Sequence, residues 1–235
     1  MAFTSATLER LQVVGALAAG LAHELGTPLN VVRGFAEILA ARSLSEEKSR
    51  DMLRAIHGQT DRMILIVRQL LDFTRRGAMT KTTADLNQVA RDSVQLLEPM
   101  ARKYGCTVRF VPTDEPLRAQ LAESEIQQAL CNLLVNAFQS MATGGEVTIH
   151  TDVTDGDGAE RLGRVRVADR GIGISAADLP RIFDPFFTTK SVGEGAGLGL
   201  SVSYGIVRDH GGQILVDSTP GRGTCVTVLL PLAGA

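Results

Sequence analysis

The sequence predicts an α+β protein in which a two-helix hairpin precedes a two-layer α/β sandwich. Over roughly the first 70 of its 235 residues, apolar side chains recur in steps of three or four, which is the periodicity of amphipathic helices. From about residue 86 onward, helical patterns are mixed with short runs of β-branched residues bounded by glycine and other turn residues. That mixture indicates strands and helices packed in two layers.

The first predicted helix runs from Leu8 to Leu39, and its pattern breaks at residues 43–45. Ser45 followed by Glu46 and Glu47 predicts the cap and the acidic first turn of a second helix. The apolar stripe of the first helix is Leu8, Leu11, Val14, Ala18, Leu21, Leu25, Leu29, Val32, Phe35 and Leu39. That of the second is Leu53, Ile56, Thr60, Met63, Val67 and Leu70.

A single hairpin cannot cover both of these apolar stripes. Two copies packed together as a four-helix bundle would cover them. The hairpin therefore predicts a homodimer.

The remaining pattern divides the chain into three parts: a helical hairpin at 1–78, a polar linker at 79–84 and the sandwich at 85–235. We expect the sandwich strands to be antiparallel. Its predicted helices are Leu86–Lys103, Glu123–Met141 and Leu198–His210. Its predicted strands are Thr107–Val111, Glu146–Val153, Arg164–Ala168, Gln213–Asp217 and Thr224–Leu230.

Composition excludes several classes of partner. The formal net charge is −2 and there is no basic stripe, so nothing indicates a nucleic-acid partner. No apolar run approaches the roughly 20 residues of a membrane span, and we expect a cytoplasmic chain without a membrane segment. The three cysteines are far apart and distant from the histidines, which argues against a thiolate metal site.

His23 lies opposite the apolar stripe of the first helix, where an imidazole would face solvent. Glu24 is its neighbour, and Thr27 shares its face. Pro28 removes a backbone donor close to the histidine and should bend the helix there. A surface histidine beside a tolerated kink is the simplest interpretation. The alternative is a nucleophile with an adjacent base, because an imidazole nucleophile must lose its ring proton.

In the helix predicted to end at Met141, Gln128, Asn132 and Asn136 follow one another at spacings of four and share a face. Amide oxygens are hard ligands, suited to a magnesium ion that also binds phosphates. The alternative is a satisfied polar seam between two elements.

Two glycine-rich segments follow, at residues 169–174 and 193–200. The second leads into a helix, whose N-terminal amides can bind phosphate oxygens. Neither segment matches a P-loop, and a Rossmann fingerprint would need a preceding strand in a βαβ unit. Between them lies a phenylalanine-rich segment at 182–190, which suits either core or the hinge of a lid.

These segments together resemble the histidine kinases of two-component signalling, over about residues 5 to 232. Residues 21–30 resemble the family's phospho-acceptor box and 132–137 its asparagine box. Residues 169–174 resemble its first glycine box, 182–190 its phenylalanine box and 195–200 its second glycine box. The resemblance implies a dimerisation hairpin followed by an ATP-binding sandwich of GHKL type. It implies an ATP-dependent histidine autokinase with ATP and Mg²⁺ as cofactors and a response regulator receiver domain as partner.

The resemblance also implies roles for individual positions. His23 would attack the γ-phosphate, and Glu24 would accept its proton. Asn136 with Asn132 would hold magnesium, and Asp169 would bond the adenine amino group. The remaining nucleotide contacts implied are Gly171 and Gly173 in the adenine turn, and Lys190, Gly195, Gly197, Leu198 and Gly199 near the phosphates.

Further expectations concern the partner. Thr27 resembles the position that orients water for dephosphorylating the regulator. Asn30, Gly34 and Glu37 are candidate docking positions. Gln139 stands where many members carry a basic residue, and the sequence around it is closer to the nitrogen-regulation-type branch. A substitute phosphate contact could then come from Arg181 or Lys190.

Two other functions share part of this pattern. A GHKL ATPase of the DNA-repair, topoisomerase or chaperone type would carry the asparagine and glycine boxes, but it leaves His23, Glu24 and the hairpin unexplained. A dimeric scaffold that binds nucleotide without reacting is the other alternative. Membrane anchoring of a full-length protein stays open.

Overall fold

The computed structural model describes residues 25–41, 44–74, 80–156, 161–190 and 197–233. Both helices of the predicted hairpin are present among them. Residues 25–41 belong to helix α1, and helix α2 is Glu46–Thr74. Ser45 caps α2: its Oγ accepts a hydrogen bond from the Lys48 amide at 3.4 Å. The predicted N-terminal part of the first helix lies outside the described residues.

Within the described residues, the sandwich unit contains three α-helices, seven strands and a short 3₁₀ helix at Leu179–Arg181. Helix α3 matches its predicted bounds, and the other predicted elements agree within a few residues. In chain order the elements are β1 (Thr82–Asp85), α3 (Leu86–Lys103), β2 (Cys106–Val111), β3 (Arg118–Leu121), α4 (Glu123–Ser140), β4 (Gly145–Asp155), β5 (Arg161–Ala168), α5 (Gly199–Asp209), β6 (Gln213–Thr219) and β7 (Gly223–Pro231).

The main sheet has five strands in the order β2-β4-β5-β7-β6. The pairs β4–β5, β5–β7 and β7–β6 are antiparallel as predicted. The pair β2–β4 is parallel, so the expectation of antiparallel strands throughout was wrong. The cause is the connection: β3 and α4 lie between β2 and β4 in the chain, and a crossover of that length joins parallel strands.

A second sheet was not predicted. It pairs β1 with β3 in antiparallel fashion, so residues 82–84 of the predicted linker are strand. Asp85 joins this sheet to the sandwich, because its Oδ1 accepts hydrogen bonds from the amides of Asn87, in the first turn of α3, and Leu117, which precedes β3. The sequence pattern did not predict β1, because its residues are mostly polar and the strand that it pairs with lies more than 30 positions away.

The core of the sandwich lies between the helices and the main sheet. Helix α4 packs between α3 and α5, and its Leu130, Leu134 and Phe138 are fully buried. The opposing sheet contributes Val147, Ile149, Val165, Val228 and Leu230. Alternate residues of β5 are buried, as expected for a sheet covered on one face.

The chain divides into two compact units, Met1–Arg76 with Pro185–Leu198, and Gly77–Asp184 with Gly199–Ala235. Among the residues described, no helix combines the length and the hydropathy that a bilayer crossing requires. The α+β class predicted from sequence is confirmed, with a helical hairpin in one unit and the sandwich in the other.

Candidate nucleotide-binding site

The site is built along one face of α4. Asn132, Asn136 and Ser140 follow at spacings of four, so they form one row on the helix surface. Eight residues of α-helix span about 12 Å. The Asn132 end of this row is hydrogen-bonded to the first residue of α5, and the Ser140 end to Asp169 after β5. We call the surface along the row, from Asp169 to the N-terminus of α5, the groove.

Asp169 marks one end of the groove, directly after β5. Its Oδ1 accepts hydrogen bonds from the Gly171 amide at 2.8 Å and from Ser140 Oγ at 3.0 Å. Both bonds fall on Oδ1, which leaves Oδ2 to accept from a ligand. The carboxylate is half-buried and held in place by two donors, so it is suited to recognise an amino group.

Two predicted glycines shape the turn after Asp169. A Cβ at Gly171 would lie 2.1 Å from Ser140 Oγ, so the turn can approach α4 only without a side chain there. Gly173 has φ +70°, and a Cβ on it would lie 2.2 Å from the Thr219 carbonyl oxygen. The adjacent Ile172 is exposed, so it offers an apolar surface to a ligand next to the carboxylate.

The N-terminus of α5 marks the other end of the groove. Asn132 Nδ2 donates to the Gly199 carbonyl oxygen at 3.3 Å. The amide oxygen of Asn132 takes no part in this hydrogen bond. A Cβ at Gly199 would lie 3.7 Å from Asn136 Nδ2. Two asparagine side chains therefore lie beside the first turn of a helix, where backbone N–H groups and the helix dipole favour an anion.

Three other predicted nucleotide contacts, Lys190, Gly197 and Leu198, belong to the unit that contains the hairpin. Within that segment, the Phe186 amide donates to the Gly197 carbonyl at 3.0 Å. Phe186 and Gly197 both have positive φ, so the segment turns back on itself at this bond. Gly195 lies outside the described residues, and the nucleotide roles of all four positions remain predictions.

The phospho-acceptor region is described only in part. His23 and Glu24 lie outside the described residues, so the predicted kink beside them is not tested. Thr27 is half-buried on α1. Among the candidate docking positions, Asn30 and Glu37 are exposed and Gly34 is half-buried, and Arg33 forms an exposed ion pair with Glu37 at 3.8 Å.

Sequence reasoning missed two residues of the groove. Ser140 continues the series of Asn132 and Asn136 by another step of four, so the spacing rule could have found it. Gly223 carries φ +103°, and a Cβ there would lie 2.1 Å from the Asp169 carbonyl oxygen. No sequence signal reveals Gly223, because the approach joins two turns that are distant along the chain.

The arrangement can bind a molecule that carries an amino group at one end and phosphates at the other. The half-buried carboxylate of Asp169 suits the first, and the N-terminus of α5 suits the second. Amide oxygens beside the phosphate end match the hard ligands that magnesium prefers.

Comparison with known proteins agrees with this geometry. Residues 122–234 match the model of the histidine kinase-, DNA gyrase B-, and HSP90-like ATPase family. Residues 14–78 match the model of the His Kinase A (phospho-acceptor) domain. The sensor histidine kinase ZraS of Klebsiella oxytoca is 34% identical over 230 residues, covering 98% of this chain and 48% of ZraS. The chain thus spans about half the length of the curated relatives it matches.

Solved structures give the same result. The catalytic domain of the histidine kinase ThkA matches with a TM-score of 0.57 and 32% identity, over 66% of this chain and 97% of that domain. ThkA in complex with the response regulator protein TrrA matches with a TM-score of 0.78 and 28% identity, over 96% of this chain and 64% of ThkA. A phospho-acceptor hairpin followed by an ATPase sandwich is the order found here, and the chain belongs to the sensor histidine kinases of two-component signalling.

Proposed function

We propose that this chain is an ATP-dependent protein histidine kinase that phosphorylates His23 and passes the phosphoryl group to an aspartate of a response regulator. The observation that carries the proposal is the row of Asn132, Asn136 and Ser140 on α4. It joins a carboxylate suited to an adenine amino group to a helix N-terminus suited to phosphates. Membership of the family supports it.

In the proposed reaction, a ring nitrogen of His23 attacks the γ-phosphorus of ATP. The bond from that phosphorus to the bridging oxygen breaks, and ADP leaves. Glu24 takes the proton that the imidazole loses. The remaining task is to hold the nucleotide in line and neutralise its charge, since phosphoryl transfer depends mainly on positioning and electrostatics.

Magnesium is part of the proposal. Asn136, with Asn132, would hold the ion against the triphosphate, and the ion would neutralise phosphate charge. The side chain of Asn132 suits a magnesium ion, because its amide nitrogen donates a hydrogen bond to Gly199 and its oxygen remains as the atom that would bind the metal. Lys190, Gly195, Gly197, Leu198 and Gly199 are proposed as further contacts to the nucleotide.

We propose a response regulator receiver domain as the partner and a homodimer as the working state. The complex of ThkA with TrrA and the match to a phospho-acceptor domain support these assignments. Thr27 is proposed to assist dephosphorylation of the regulator, and unchanged dephosphorylation by a Thr27→Ala variant would refute this. We assign residues 1–78 to dimerisation and phosphotransfer and 85–235 to catalysis. Of the predicted linker at 79–84, residues 82–84 are strand β1 and belong with the sandwich. We place the chain in the cytoplasm because the reaction consumes ATP.

The test is incubation of the chain with γ-labelled ATP. We expect wild type to incorporate label that is acid-labile and alkali-stable, as a phosphorylated imidazole is. His23→Gln should lose all incorporation, because glutamine offers no nucleophilic ring nitrogen. Omission of magnesium, with a chelator present, should abolish labelling of the wild type. Incorporation is measured by gel autoradiography after acid and alkali treatment.

Nucleotide affinity serves as the control for this test. His23→Gln should bind ATP as wild type does, since the residue is not part of the proposed nucleotide groove. Binding or hydrolysis of ATP by the wild type without any histidine labelling would overturn the kinase proposal and favour an ATPase or a scaffold.

A further inference from the structure

His210 is buried at the end of α5, and both of its ring nitrogens are engaged. Nδ1 lies 2.7 Å from the Ile206 carbonyl oxygen, and Nε2 lies 3.0 Å from the Ala122 amide nitrogen. A carbonyl can only accept and a backbone N–H can only donate. These partners therefore assign a neutral imidazole with its proton on Nδ1, which acts as a rigid connector with one donor end and one acceptor end.

This connector joins the ends of two helices. His210 is the C-cap residue of α5: the Gly211 amide donates to Arg208 O and the Gly212 amide to Val207 O, each at 2.9 Å, which is the Schellman arrangement. Ala122 is the N-cap residue of α4 and has no side-chain capping bond. The end of α5 is thus bonded to the beginning of α4.

Two more polar contacts continue along the same helix pair. Ser203 Oγ has one hydrogen to share between two acceptors: the Gly199 carbonyl oxygen of its own helix at 2.9 Å and the Ala129 carbonyl oxygen of α4 at 3.3 Å. Asn132 Nδ2 donates to Gly199 at the far end. His210 and Ser203 are seven residues apart on α5, as their partners Ala122 and Ala129 are on α4. The contacts form a ladder between antiparallel helices, and they fix the register of α5 along α4.

This register matters for the groove. A shift of α5 by one residue along its axis is about 1.5 Å, and it would move the backbone N–H groups in the first turn of α5 away from Asn132 and Asn136. Displacements near 1 Å are large for a group that positions a reactant. A residue remote from the groove can therefore control it by setting this register.

We propose that His210 is a positioning residue for nucleotide binding, which holds α5 in register on α4 so that the N-terminus of α5 lies beside Asn132 and Asn136. The inference rests on the proposed nucleotide site. It assigns His210 no contact with the nucleotide and no part in the phosphoryl transfer itself.

The test compares the full chain with its His210→Phe variant, which keeps an aromatic ring but loses both hydrogen bonds and leaves the Ala122 amide without an acceptor. We expect KM for ATP in autophosphorylation to rise about tenfold. We expect kcat at saturating ATP to change less than about twofold, because His23 and Glu24 are untouched. Direct titration with ADP should show the same loss of affinity. His210→Gln, which can accept and donate at similar positions, should restore part of it.

Two control variants separate positioning from general effects. Val228→Ala removes core volume on β7, where Val228 is 1% exposed, and should lower stability without raising KM. Glu125→Gln removes the carboxylate 3.9 Å from His210 Nε2 and should leave KM unchanged. If His210→Phe does not fold, Ser203→Ala breaks the middle of the ladder and should raise KM severalfold.

Several outcomes would overturn the proposal. An equal rise of KM in Val228→Ala and His210→Phe would show that the rise comes from lost stability and not from lost positioning. A rise in Glu125→Gln as large as in His210→Phe would indicate an ion pair instead of a neutral connector. Normal ADP affinity in His210→Phe would overturn this inference alone, whereas absence of nucleotide binding in the wild type would overturn the proposed function with it.

Discussion

The groove depends on single residues that allow loops to approach each other closely. Gly221 lies in the turn between β6 and β7, Gly223 follows it as the first residue of β7, and both have positive φ. A Cβ at Gly223 would lie 2.1 Å from the Asp169 carbonyl oxygen, whereas a Cβ at Gly221 would meet nothing within 4 Å. Gly223 therefore lets the β6–β7 turn reach the backbone of Asp169, which carries the proposed adenine-binding carboxylate.

Gly223→Ala should lower both stability and nucleotide affinity. Gly221→Ala is the matched control, because it carries only the penalty of positive φ, about 1 kcal/mol. Gly223→Ala adds a backbone clash, for a total of about 3 kcal/mol, and it should displace Asp169. Urea unfolding and ADP titration measure the two effects. Equal behaviour of the two variants would show that the close approach to Asp169 is not needed.

At the residue scale, the sequence predicted which candidate residues share a surface where their spacing is local. Asn132 and Asn136 share a helix face by spacing alone. Asp169 and its glycines occur in a short segment with a family resemblance. Gly223 was missed because its reason for being glycine is a contact with a turn more than 50 positions away, which no local pattern encodes.

Among the elements, β4 and β5 are joined by a charged cluster on the face of the sheet opposite the core. Arg164 donates to both oxygens of Asp152 at 2.6 and 2.8 Å, and Arg166 Nη2 donates to Asp152 Oδ2 at 3.0 Å. The hydrogen bonds from Arg164, with the charges of Arg164, Arg166 and His150, hold the pKa of Asp152 below its ordinary value despite partial burial.

Asp152→Asn should destabilise the sandwich by about 1–2 kcal/mol at neutral pH, a value reduced by partial exposure of the cluster. A lowered carboxyl pKa means that the stabilisation is complete above the ordinary pKa and is lost as pH falls through the lowered value. The difference between variant and wild type should therefore shrink in acid. Urea unfolding across pH measures it, with exposed Asp155→Asn as the control. A difference that persists unchanged in acid would contradict the assignment to charge.

Helices were easier to predict than strand pairing. The bounds of α3 follow from a continuous 3.6-residue pattern between an Asp cap and a glycine turn. The short strands β1 and β3 lack an apolar alternation long enough to detect, and their pairing is non-local. The parallel direction of β2 and β4 depends on the path of the intervening chain, which hydrophobic periodicity does not report.

At the scale of the whole molecule, apolar side chains of the hairpin are exposed to solvent in the single chain. Leu29 on α1 is 53% exposed and Leu53 on α2 is 56% exposed, and both belong to the stripes from which dimerisation was predicted. Pairing of two hairpins would bury them. An exposed leucine on the apolar stripe of each helix is expected of one half of a four-helix bundle.

Leu53→Glu should therefore weaken the dimer. Each copy loses about 2 kcal/mol of leucine burial, so a dimer loses about 4 kcal/mol, which is nearly a thousandfold in its dissociation constant. Leu96→Glu is the matched control, because Leu96 is equally exposed, at 62%, but lies on α3 in the sandwich unit. Light scattering and sedimentation equilibrium at micromolar concentration should show a dimer for wild type and Leu96→Glu and a monomer for Leu53→Glu. A monomeric wild type would overturn the bundle, and dissociation caused by Leu96→Glu would place the interface on the sandwich instead of the hairpin.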